Sequence, residues 1–483
     1  MGSNGAYFCC IKHHYDSRLF PFRPLEARGT RMTATATTEG HNSVGIASRA
    51  AFKRARRVFV DGTSRVTIER DPIPRYMDRG EGAHLIDVDG RRFLDLNGNF
   101  TTLIHGHGFA PVIEAVTRQL RSGTCFANPT LAEIGLAELI CGRVPGAETI
   151  RFVNTGSEAV MFAIKAARAF TGRAAIAKIE GAYHGAYDWV EVSQASAPGN
   201  WGPADDPARV PYYRGMPASV LDEVVPLRFN DVNLAERQIA ENADRLAAIV
   251  LDPMPSRAGL IAPTPEFVAA IQQAAKRHGI VLIADEVLSF RQGYQGASAR
   301  HQLKPDLFTF GKIIGGGLPI GAIAGAREVM SVFDASSGRP TLPQGGTFSA
   351  NPLSMTAGLA SMTALDPAAF EHLETLGDRL RDHLGRAISR RGVPFSVSGA
   401  ASLFRLHPKA KLPRDFREAT PTAAEAHVMK ELTRSFADAS IVLPYGAAAC
   451  LSTPMTTDDV DLVASVFDNF LVTRSDLIES LAA

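Results

Sequence analysis

The 483-residue chain has little excess charge, few cysteines, two tryptophans and no internal repeat or low-complexity block. Its 51 basic and 50 acidic residues leave a formal net charge of +1, which gives no argument for nucleic acid or a membrane surface as partner. No apolar run reaches the ~18 residues of a membrane span. The five cysteines, Cys9, Cys10, Cys125, Cys141 and Cys450, are scattered apart from the first adjacent pair. Such spacing is neither a disulfide framework nor a zinc ribbon, and it predicts a reducing, cytoplasmic setting. The first 32 residues lack the apolar centre of a secretory signal. Ala6 stands where a myristoylation site wants Ser or Thr. A flexible extension is expected over 1–45, with a transit peptide as the alternative and Met32 as a second start.

A hydrophobic fraction of 45% is enough for a large core. At ~150 residues per domain the length suggests roughly three units. "AFKRARRVFVDG" (51–62) reads as a basic helix ending before Gly62, and "AHLIDVDGRRFLDLNG" (83–98) as a hairpin around Asp89-Gly90. From residue 149 strand and helix patterns alternate. Strands are expected at Ile150–Asn154, Ala175–Ile179, Ala247–Asp252, Ile280–Asp285, Leu307–Phe310 and Gly321–Gly325, with helices such as Ser157–Phe170 and Pro265–His278 between them. Short apolar strands separated by helices predict an α/β fold, a mostly parallel sheet sandwiched by helices. The last ~130 residues read as a smaller α+β domain. The expected division is a segment 46–100 contributing to the small domain and a subunit interface, a large domain 101–350 and a small domain 351–483. The Pro- and Gly-rich stretch 197–215, flanked by Trp189 and containing Trp201, is long enough for a lid.

"PDLFTFGKIIGGGLPIGAIAG" (305–325) places Lys312 between a buried-looking strand and three consecutive glycines. Ligands of open α/β sheets bind at the C-terminal ends of strands. A desolvated lysine there becomes a nucleophile toward carbonyls, although a strand-end lysine reaching to solvent fits the same pattern. The glycines follow the lysine, so the stretch is not a P-loop. "IVLIADEVLSFRQG" (280–293) ends an apolar run at Asp285 and Glu286, at the same edge as Lys312. A carboxylate in such a cleft suits a pyridinium nitrogen. "NTGSEAV" (154–160) turns into a helix at Gly156 and Ser157, which suits a phosphate but equally an ordinary N-cap. Tyr183 and His184 in "GAYHGAYDW" could face a planar ring or simply pack in a core. Together these groups fit pyridoxal 5′-phosphate.

The assembled motifs, with "GGTFSANPLSMTAG" (345–358), strongly resemble the class III pyridoxal-phosphate aminotransferases of fold type I. The resemblance spans roughly 55–470 and is greatest to the branch of glutamate-1-semialdehyde aminomutases and β-amino-acid aminotransferases. It implies Lys312 as the Schiff-base lysine and proton carrier and Asp285 as partner of the pyridine nitrogen. Val287 and Tyr183 would lie on the two ring faces, with His184 beside them. Gly156 and Ser157 would hold the phosphate, and Asn230 would lie near the cofactor hydroxyl. Thr347 would reach the phosphate of a neighbouring subunit, implying a homodimer with shared sites. Arg65 and Tyr445 match substrate-binding positions. At Tyr445-Gly446 this chain departs from both the second arginine of the β-amino-acid enzymes and the glutamate of the aminomutases. No metal is implied. The reaction expected is transfer of an amino group from an amine or (β-)amino acid to a keto acid such as pyruvate or 2-oxoglutarate. The alternatives are an intramolecular aminomutase and a non-catalytic cofactor-binding regulator.

Overall fold

The computed structural model describes residues 44–446 and 448–481. The extension expected over 1–45 therefore lies outside the described residues, as do Cys9, Cys10 and Met32, except for Val44 and Gly45; Val44 is buried. The basic helix is shorter than expected and sits earlier, at Ile46–Ala55. Hydrogen-bonded turns at Arg57 and Val58 end it, ahead of the β-branched residues Val58 and Val60. Asp89, at the tip of the foreseen hairpin, caps this helix by accepting the N–H groups of Ala47 (2.8 Å) and Ser48 (3.2 Å).

The strands are β1 (Met77–Glu81), β2 (His84–Asp87), β3 (Arg92–Asp95), β4 (Thr149–Val153), β5 (Ala175–Ile179), β6 (Val224–Leu227), β7 (Leu246–Leu251), β8 (Val281–Asp285), β9 (Leu307–Gly311), β10 (Gly321–Gly325), β11 (Ser396–Ser398), β12 (Leu403–His407), β13 (Ile441–Val442) and β14 (Ala449–Cys450). A seven-stranded sheet runs β4-β10-β9-β8-β7-β5-β6. Its strands pair in parallel except β10, which is antiparallel to both neighbours, β9 and β4. Reversing direction twice leaves β4 parallel to β9. The C-terminal ends of β4, β5, β7, β8 and β9 therefore share one edge.

Alternate side chains of the central strands enter different apolar clusters. Leu282 and Ala284 of β8 join one, while Val281 and Ile283 join the other. A sheet covered on both faces requires this alternation. Helices Gly156–Thr171 and Pro265–His278 lie close to the expected spans, each ended by a left-handed glycine, Gly172 and Gly279. β6 is a strand of the large sheet for which the sequence predicts none. It contains Pro226, which is tolerated because β6 is the sheet's outer strand.

Two smaller sheets complete the fold, β1-β2-β3-β13 and β11-β12-β14. β13 pairs in parallel with β3, so the N-terminal segment and the C-terminal region share a sheet. Among the described residues no helix is long and apolar enough to cross a membrane.

Candidate active site

Each residue at the shared strand edge is carried there by the end of a strand. Lys312 follows β9 with a left-handed φ of +49°, a conformation side chains rarely adopt. Burial lowers its pKa from the ordinary lysine value, while the charges of Asp285 and Asp252 act in the opposite sense. Among the described residues its Nζ has no hydrogen-bond or ion-pair partner.

Asp285 ends β8 and is buried. Its Oδ2 accepts a 2.6 Å hydrogen bond from His184 Nδ1–H. Oδ1 accepts from the Thr309 hydroxyl (2.9 Å) and the Val287 N–H (3.1 Å). The carboxylate is thus fixed in orientation from both sides. Glu286 does different work: its buried carboxylate accepts the N–H groups of Ala297 (2.8 Å) and Ser298 (2.6 Å).

The phosphate-type turn follows β4. Thr155, not Ser157, is the N-cap, its hydroxyl accepting the Glu158 N–H at 3.1 Å. The Ser157 hydroxyl is left to accept the Ala186 N–H at 3.1 Å, which joins this helix to the loop carrying Tyr183 and His184. The N–H groups of Gly156 and Ser157, in the first turn of a 16-residue helix, have no intrahelical acceptor. Gly156 has no room for a side chain: a Cβ would lie 2.8 Å from Val287 Cγ1. Gly311, just before Lys312, is held against the same valine, a Cβ there lying 3.3 Å from it. Val287 thus brings the turn, β8 and the lysine together.

Asp252, which follows β7, belongs to this group and was read from sequence only as a strand end. It is 5% exposed, and its Oδ1 accepts the Met254 N–H at 2.9 Å. Burial first, then the charge of Asp285, push its pKa up to about 7, with Lys312 opposing.

The other expected residues are distributed unevenly. Tyr183 is 55% exposed beside His184. Asn230 is not brought to Lys312 by any hydrogen bond among the described residues. Its amide joins backbone groups of Ala262, Thr264 and Arg414. Thr347 lies exposed in a loop. Arg65 donates to Asn99 Oδ1 at 3.1 Å, and Tyr445 is 47% exposed. Most of the expected lid is tied down. Arg417 donates to the carbonyls of Trp201 (2.6 Å), Gly202 (2.9 Å) and Pro203 (3.2 Å), and Ser193 exchanges hydrogen bonds with Val210. Residues 197–200, 203–206 and 211–215 remain exposed, with Tyr212 close enough to raise the Tyr183 pKa after burial has done so.

Residues 66–445 match the family described as aminotransferase class-III. The chain belongs to the class III aminotransferases. A glutamate-1-semialdehyde 2,1-aminomutase of Aeropyrum pernix is 40% identical over 75% of this chain and 83% of its own length. Among solved structures, an omega-transaminase from Sphaerobacter thermophilus is 44% identical with a TM-score of 0.86, covering 89% of this chain and 98% of that one. A beta-phenylalanine aminotransferase from Variovorax paradoxus is 30% identical with a TM-score of 0.81, covering 90% and 96%. This class III aminotransferase is an enzyme of the α/β, fold type I class, and its cofactor is pyridoxal phosphate. The residues present fit that group: an unpaired lysine amine, a fixed carboxylate and free helix N–H groups stand at one sheet edge.

Proposed function

We propose that the protein is a transaminase that moves an amino group from an amine or (β-)amino acid to a keto acid. The observation that carries this is its likeness to the omega-transaminase, at 44% identity over 98% of that chain. The aminotransferase acting on beta-phenylalanine adds support for a β-amino acid as donor. When bound, pyridoxal phosphate supplies the electron-accepting ring that carries the amino group.

In this reading Asp285 holds a proton on the ring nitrogen, and His184 keeps the carboxylate aimed by its hydrogen bond. The N–H groups of Gly156 and Ser157 bind the phosphate through the positive end of their helix. Val287 and Tyr183 would flank the cofactor. Lys312 anchors the cofactor and moves the proton at the substrate carbon, and burial favours its neutral amine. Thr347 would serve the phosphate of a second subunit in a homodimer; its exposure in a loop of this chain supports that use.

The aminomutase relative motivates a second reading, a 1,2-shift within one molecule. Omitting the acceptor separates the two. Transamination requires product formation from a donor panel only when pyruvate or 2-oxoglutarate is present, and loss of that transfer in Lys312→Ala. Isomerised product formed from glutamate 1-semialdehyde without any keto acid, at the rate of the full reaction, would overturn the proposal.

A further inference from the structure

A cavity of 270 Å³ lies between the loops that follow β5 and β7 and the C-terminal residues 404–449. Its wall combines Gln194, Arg257, Arg405 and Tyr445 with apolar residues such as Phe404 and Leu443. Among the described residues no aspartate or glutamate lines it. Arg405 projects from β12 and donates through Nη1 to the Ser256 carbonyl at 2.5 Å. Arg257 stands exposed at the rim, with a long 3.5 Å hydrogen bond to the Gln194 carbonyl. Neither guanidinium has a carboxylate partner among the described residues. Gln194 is 1% exposed, and its Oε1 has no hydrogen-bond partner.

The surroundings register this uncompensated charge. Burial and then Arg257 hold the Arg405 pKa down at about 10. Burial and then Arg405 hold His407, on the same wall, at about 3, so that ring stays neutral. Two cations crowded in a partly desolvated cavity are unfavourable unless an anion joins them.

Two stretches of the cavity wall continue to residues whose charges act on Lys312 or Tyr183. The loop bearing Asp252 continues to Arg257, whose charge reaches the Tyr183 phenol. Ala449 of the wall precedes Cys450, whose thiol lies within electrostatic range of Lys312. Arg65, bonded to Asn99, is not part of this wall.

We propose that this cavity is the carboxylate subsite of the enzyme, taking an organic acid whose carboxylate is held by Arg257 and Arg405 and whose apolar stem lies on Phe404 and Leu443. The proposal rests on the transaminase reading and deepens it by giving the charge of the acid substrate a counterpart. Guanidinium forks suit carboxylates through paired, charge-assisted hydrogen bonds. The unpartnered Gln194 amide adds a polar contact once turned toward the ligand.

The test uses the holoenzyme and calorimetry with 3-phenylpropanoate, which carries neither an amino nor a keto group. The carboxylate is expected to bind, and its neutral amide to bind about tenfold more weakly or not at all. Arg257→Gln and Arg405→Met should each weaken carboxylate binding about tenfold or more, with Arg405→Lys intermediate because it keeps the charge but loses the fork. Arg257 is exposed, so its variant keeps the test decisive if Arg405→Met fails to fold. In steady state with one amine donor, Arg257→Gln should raise KM for a 2-oxo acid about tenfold more than KM for an uncharged aldehyde. Equal changes for acid and aldehyde, or arginine-independent carboxylate binding, would refute the subsite. Inorganic phosphate binding as tightly as the carboxylate would also overturn it, marking an unselective anion site. If the wild type transfers no amino group to any acceptor, the transaminase reading fails instead, and the binding series still decides the cavity.

Discussion

Lys312 owes its chemistry to neighbours rather than to its own strand. Asp285 and Asp252 bracket it, and the two acids differ. Asp285 is held by His184, Thr309 and Val287, whereas Asp252 has its pKa raised from 3.8 to about 7. A folded-state carboxyl raised above its unfolded value keeps a proton that the unfolded chain has released. Stability from this group is therefore greatest below pH 4 and declines as pH rises toward 7. Asp252→Asn should remove that decline. Urea unfolding of the cofactor-free protein at pH 5 and pH 7 reads it, and parallel curves for variant and wild type would contradict the assignment. His184→Phe should weaken cofactor binding about tenfold to a hundredfold, the worth of a hydrogen bond to a charged group. Titration of apoprotein with pyridoxal phosphate measures this, and unchanged affinity would remove His184 from the cofactor's support. Lys312, Asp285, Gly156 and Ser157 stand out in the sequence because each follows or ends an apolar run, Tyr183 because of its small neighbours, and Val287 only through the family resemblance. Asp252 does not, since it ends an expected strand without a motif around it to set it apart. Arg257 and Arg405 do not either, because no local pattern announces that residues so far apart share a wall.

At the scale of elements, the turn into helix Gly156–Thr171 depends on a missing side chain. Gly156→Ala would press a methyl group onto Val287, and overpacking of this kind costs roughly 1–3 kcal/mol. Thermal unfolding should show the loss, and Val287→Ala in the same chain should recover most of it. Failure of the second substitution to rescue would mean that the glycine matters for another reason. Elements with strong periodicity were legible: Ala175–Ile179 and Pro265–His278 match their expected spans. The basic helix was misjudged because charge spacing continued past Ala55 while helix formation did not. Nothing local in the stretch 197–215 reveals that Arg417, far along the chain, fastens three of its carbonyls.

Across the whole molecule, Arg291 ties distant segments together. Fully buried, it donates to Ser402 Oγ (2.9 Å), the Thr101 carbonyl (2.7 Å) and the Leu451 carbonyl. Arg291→Ala would leave three buried acceptors unmatched, at a cost of roughly 3 kcal/mol or more. Chemical denaturation should detect it, and a change near zero would show that water replaces the guanidinium. The α/β character could be read from alternating strand and helix patterns. The pairing of β13 with β3 could not, because it joins the two ends of the described chain and leaves no local trace.

The outer strand of the large sheet bears on how the protein behaves in concentrated solution. Glu223 and Leu227 offer their carbonyls to β5 (2.9 and 2.8 Å), so Pro226, at the alternate register, turns its donorless nitrogen outward. A passing strand from another molecule finds a gap there in place of a hydrogen-bond donor, and edge-to-edge growth into aggregates is denied a regular ladder.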